Sequence, residues 1–236
     1  MKRMMGIVSL FLAATLGVQA ASAEDAAAVL LKAHEARSTW NGFPGFRADV
    51  VVVDGQTQAN GWVEVDRHGA IRFEVPNAPA WFEGKLRSFV EHRFGDAARE
   101  YQASFETEPQ PHPLGRLIRI DNDTLMGSRY RVDGDVVREV HRHPADGHFT
   151  ITVLDVQRNP LGKYVPRVYT VSYWDSQGQL VAVTVERDDW LHKDGWDLPL
   201  GWVTIRTANG SQRQVRSVTF SNHSWLSAAT AGSSSP

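Results

Sequence analysis

From Phe46 to about residue 221, apolar side chains recur at every second position, and turn residues cut the alternation at roughly ten-residue intervals. Phe46, Ala48, Val50 and Val52 share one face of such a run. Gly61, Val63 and Val65 share the next, then Ile71, Phe73 and Val75. Asp54-Gly55 and Arg67-His68-Gly69 separate these three runs as hairpin signals. After a break, further runs fall near 116–121, 128–133, 135–142, 148–155, 164–174, 179–187, 199–207 and 213–221. Strands this close in sequence argue against parallel βαβ units, and an antiparallel meander is expected.

Two segments carry the helical period instead. Residues 25–38 place Ala27, Leu30, Leu31, His34 and Ser38 on one stripe, with Glu24 and Asp25 in the first turn. Residues 80–93 carry Phe82, Leu86, Phe89 and Val90 at i, i+4, i+7 and i+8, with Gly95 as a stop. The polar, Pro-containing stretch 96–114 reads as a long connection. About eleven strands exceed what a twisted sheet holds flat. The expected fold is therefore α+β: one long curled antiparallel sheet, an incomplete barrel, with two helices packed on its concave face.

The N-terminus has the three-part pattern of an export signal. Met1-Lys2-Arg3 is positive, Gly6 to Leu16 is mostly apolar, and cuts are expected after Ala20 or Ala23. The apolar run is too short to span a bilayer, and no later run is longer. Cysteine is absent, which excludes thiol catalysis, a disulfide framework and a lipid-modified cysteine anchor. The expected organisation is a signal peptide at 1–23, one domain at 24–226 and a disordered tail at 227–236. The expected location is periplasmic or secreted. A net charge of −2 gives no footprint for nucleic acid.

The densest polar constellation runs from Glu139 to His148. A four-residue turn at 144–147 would set His143 opposite His148, with His141 and Glu139 on the same face. That face reads either as a solvated outer surface or as a site for zinc or a similar divalent ion, with His141, His143, His148 and Glu139 as ligands. Trp190 to Trp202 reads either as a rim loop whose Trp190, Trp196 and Trp202 touch a ligand, or as aromatic packing at the end of the sheet. Trp81 joins the candidate ligand-binding set from the second helix. Glu186, Asp188 and Asp189 read as a solvated strand end. There is no phosphate-binding loop, dinucleotide fingerprint, nucleophile elbow or zinc-protease helix.

Several stretches together resemble the bacterial family catalogued as Domain of Unknown Function 3386. They are Ala36-Arg37-x-x-Trp40, Phe43-Pro44-Gly45-Phe46-x-Ala48-Asp49-Val50, Glu91-His92-Arg93, Tyr130-Arg131-Val132, Val140-His141-Arg142-His143 and Leu198-Pro199-x-x-Trp202. The resemblance implies no activity and assigns no catalytic residue. The order of elements is also similar, more distantly, to the half-barrel fold of periplasmic lipoprotein carriers. That similarity implies an apolar cavity under the helices and a non-enzymatic carrier of a hydrophobic small molecule or lipid. A metal-binding protein and a protein-interaction module are the competing expectations.

Overall fold

A computed structural model describes residues 24–94, 100–124, 126–145 and 147–226. The expected signal peptide, the C-terminal tail and the Gly95 stop lie outside the described residues.

The alternating runs become strands of one antiparallel sheet. Three precede the second helix: β1 (Phe46–Asp54), β2 (Thr57–Val65) and β3 (Ile71–Glu74). Nine follow it: β4 (Ala103–Phe105), β5 (Arg116–Ile120), β6 (Arg129–Asp133), β7 (Val136–Arg142), β8 (Gly147–Arg158), β9 (Tyr164–Asp175), β10 (Leu180–Lys193), β11 (Trp196–Ala208) and β12 (Gln214–Trp225). Their spatial order is β3-β2-β1-β12-β11-β10-β9-β8-β7-β6-β5-β4. Every neighbouring pair is consecutive in sequence except β1 and β12, the seam where the first strand meets the last. Twelve twisted strands curl into the expected half-barrel. The twelfth, β4, lies inside the stretch read as a connection; at three residues it is too short for alternation to show.

The helices are α1 (Ala26–Glu35) and α2 (Trp81–Glu91). Asp25 is the N-cap of α1 rather than part of its first turn, accepting a hydrogen bond from the Ala27 N–H at 3.2 Å. The buried stripe of α1 is Ala26, Leu30 and Ala33, offset from the expected one, and Leu31 stays exposed. In α2 the expected stripe of Phe82, Leu86, Phe89 and Val90 is buried as a set. This helix lies in the connection between β3 and β4, the two opposite edges of the sheet, so that connection must cross the open mouth of the curl.

Two separate cores result. Under α2, its stripe packs with Trp40, Phe43, Phe46, Val63, Trp202 and Phe220. Under α1, Leu30 and Ala33 pack with Ile118, Tyr130, Val132 and Val137. Each fully buried large side chain contributes roughly 1.5–3 kcal/mol of transfer free energy, and the aromatic contacts add to it. Trp40 stacks on Phe43 with centroids 4.5 Å apart.

Candidate functional site

Between the two cores the inner face of the sheet changes character. Across β8 and β9, Phe149 stands opposite Tyr173, Ile151 opposite Val171, and Val153 opposite Tyr169. Period-two alternation sends these side chains inward and puts Thr150, Thr152, Thr170 and Ser172 outward. The inward set is apolar, as a core face should be, yet Phe149, Ile151, Val153 and Val171 belong to neither core. Helix α1 lies against β4, β6 and β7, and the stripe of α2 is spent on the other core. This stretch of the inner face, here called the trough, has Phe149 and Ile151 half-buried and Val153 and Val171 buried. Arginines flank it: the Arg142 guanidinium lies 4.8 Å from the Tyr130 ring, and that of Arg206 lies 5.2 Å from the Tyr173 ring.

One end of the trough runs into buried charge. Glu186, in register with Tyr169 on β9 and Thr204 on β11, accepts a 2.6 Å hydrogen bond from the Thr204 hydroxyl. The Lys85 ammonium from α2 reaches Glu186 at 3.1 Å and donates to the Tyr169 hydroxyl at 3.4 Å. Asp188, two residues on along the same face, is opposite Trp202. Burial pushes the Asp188 carboxyl up to about 6; Lys85 and Arg93 pull against that, and Glu186 adds to it. Burial, then the charges of Asp188 and Glu186, raises the Tyr169 hydroxyl well above its ordinary value. Arg93, two residues past α2, lies with its guanidinium 4.9 Å from the Trp190 ring. Burial brings it down to about 10, with Arg37 adding to the shift. Arg93 Nε and Nη1, Asp188 Oδ1 and Trp202 Nε1 are buried with no hydrogen-bond partner among the described residues.

This corrects the reading of Glu186 and Asp188 as a solvated strand end. Strand β10 continues to Lys193, so both carboxylates sit mid-strand on the inner face, while Asp189 turns outward to Arg187 at 3.1 Å. The 190–202 segment is likewise a hairpin rather than a loop. It closes on Asp194 and Gly195, both at positive φ, which is the geometry of a two-residue Asp-Gly turn. That dipeptide was the available signal for the hairpin. No period in the sequence marks the buried charges, because they share the inward parity of the core residues.

Strands β10 and β11 place three of the expected ligand-contacting tryptophans, and α2 places the fourth, Trp81. Trp190 stacks on Phe89 at 5.2 Å, Trp202 packs on Phe220 at 5.0 Å, and Trp196 meets Phe43 edge-on at 5.6 Å. Trp81 donates from its indole to Asp54 at 2.7 Å. Trp190 and Trp202 form the wall behind the charged end of the trough, and Trp81 and Trp196 stand away from it in the α2 core.

Strands β7 and β8 pair Arg142 with Phe149 on the inner face and His141 with Thr150 on the outer, the register that sets His143 opposite His148. Those two rings stack at 5.3 Å, and His148 stacks on Trp174 at 4.6 Å. Glu139 is engaged by Arg131 at 3.0 Å and Thr152 at 3.1 Å, with His141 Nε2 at 3.4 Å. His141 first, then Arg131, holds the Glu139 carboxyl down at about 2. Among the described residues no group of three His, Cys, Asp or Glu side chains converges as a metal site. A shallow depression of about 520 Å³ near Gly201, lined by Gln157, Arg167, Asp189 and Leu200, opens to solvent.

The model of a family described as a protein of unknown function, DUF3386, matches residues 21–226. Among solved structures, a LolA superfamily protein from Nitrosomonas europaea is similar at 12% identity and a TM-score of 0.38, over 87% of this chain and 95% of that one. MucB in complex with MucA(peri) is similar at 12% identity and a TM-score of 0.23, over 83% and 93%. The MucA/MucB complex of Pseudomonas aeruginosa matches at 11% identity and a TM-score of 0.22, over 87% and 100%. The comparison with curated proteins gives no match.

Proposed function

The chain belongs to the DUF3386 family, whose description carries no activity, and from that premise we propose that it is an exported, non-enzymatic binding protein whose trough takes an apolar or amphipathic ligand. One observation carries the reading. The inner face of β8 and β9 is patterned as core, with Phe149, Ile151, Val153 and Val171 inward, yet among the described residues the four join neither core, and Phe149 and Ile151 stay half-exposed. Apolar surface left facing a concavity is what a hydrophobic guest would bury, at about 25 cal/mol per Å². Export rests on the N-terminal pattern, so N-terminal sequencing of the mature protein should begin at Ala21 or Glu24.

The test is binding of a fluorescent fatty-acid probe to delipidated protein. Saturable binding is expected, lost in Ile151→Asp while the far-ultraviolet spectrum is kept. Absence of probe binding, together with no lipid extracted from gently purified protein, would sink the reading.

A further inference from the structure

The charged end of the trough says more about the guest than the apolar floor does. Arg93 is 5% exposed, Asp188 6% and Trp202 1%, and each carries a polar atom without a partner. The three adjoin: Asp188 and Trp202 are opposed across β10 and β11, and the Arg93 guanidinium lies 4.9 Å from the ring of Trp190, two residues along β10 from Asp188, and 6.0 Å from that of Phe89, which packs on Trp202 at 5.2 Å. A buried donor or acceptor left unpaired costs roughly 1–3 kcal/mol, and more when charged. The unused set is N–H donors on two residues and one carboxylate acceptor. Its complement is a small group with two acceptor oxygens and one proton to give.

Resting on the trough reading, we infer that the guest is an apolar chain ending in a carboxylic acid. Its two oxygens accept from Arg93 and Trp202, and its proton is shared with Asp188. The charge balance favours this form over the bare carboxylate. Lys85 and Arg93 already offset Glu186 and Asp188, so a guest entering ionised would leave one negative charge buried without a partner. The groups facing Asp188 are Lys85 from α2, Arg93 beyond it, Tyr169 from β9 and Glu186 on its own strand; Arg93 also feels Arg37 and Asp197. Arg37 and Asp197 act on Arg93 in opposite senses and leave that balance unchanged, so each bound acid carries a proton in with it. From Tyr169 the tail follows Val171 and Val153 toward Ile151 and Phe149. The four residue steps from Tyr169 to Tyr173 give it about 13 Å of floor.

Calorimetry with dodecanoic acid, dodecanol and dodecyltrimethylammonium, each in buffers of different ionisation heat, separates the two levels of the reading. At about pH 5, where protonating the free acid costs little, dodecanoic acid should bind about tenfold more tightly than dodecanol, the worth of one charge-assisted hydrogen bond, and at neutral pH its binding should take up about one proton. Arg93→Gln should erase that preference and keep dodecanol binding. Should Arg93→Gln not fold, Asp188→Asn should abolish the proton uptake. Equal affinity for acid and alcohol at that lower pH, or ordered water still held by Arg93 and Asp188 in crystals grown with dodecanoic acid, overturns the acid-recognition inference and leaves the trough reading standing. Failure of all three probes to bind overturns both.

Discussion

Single residues show how this half-barrel tolerates charge inside. Asp197, 1% exposed, accepts from Asn159 and meets His192, each at 2.8 Å, while its carbonyl receives the Trp40 indole at 3.0 Å. Asp197→Ala would leave Asn159 and His192 without their acceptor, the Trp40 indole keeping its backbone one, and should cost about 1–3 kcal/mol in chemical denaturation. Asp188 behaves in the opposite sense. Its folded pKa, about 6, lies above the ordinary 3.8, so the native state binds the proton more tightly than the unfolded chain does. Stability therefore falls as pH rises from about 4 to 6, by on the order of 2 kcal/mol. Asp188→Asn should gain on the wild type across that interval; parallel curves for the two proteins would refute the argument. Glu139, held at about 2, stabilises above pH 4.5 and loses that contribution as pH falls toward 2. Little of this was legible in the sequence. An inward carboxylate and an inward leucine share the same parity, and only the length of β10 reveals that Glu186 and Asp188 are interior.

Elements divide the inner face between what folding needs and what it leaves. Leu86 in α2 is 1% exposed within a core, and Leu86→Ala should cost about 2–5 kcal/mol. Ile151 lies outside both cores, so Ile151→Ala should cost well under half of that while weakening probe binding. A comparable loss of stability in both variants would mean that the trough is ordinary core. The stripe of α2 and most strands were readable, because their periods are uninterrupted over ten or so residues. The trough was not, since alternation names the inward face without saying which helix lands on it. Both sheet edges are short, four residues in β3 and three in β4, which limits the open backbone available for pairing with another chain.

At the scale of the whole molecule, the seam between β1 and β12 joins two bodies that meet nowhere else in the order of the sheet. Val218 and Phe220 from β12 sit in the same core as Val50 and Val52 from β1. A chain ending at Arg213 should therefore lose the single cooperative melting transition of the intact protein; retention of the native Tm would contradict the role given to the seam. The seam also imposes a schedule. A chain delivered from its N-terminus, by a ribosome or through a translocation pore, presents β1–β3 first and the strand they need last. The first meander must wait, unpaired along one side, until residue 225 has emerged, so completion of this sheet is tied to the release of its final strand.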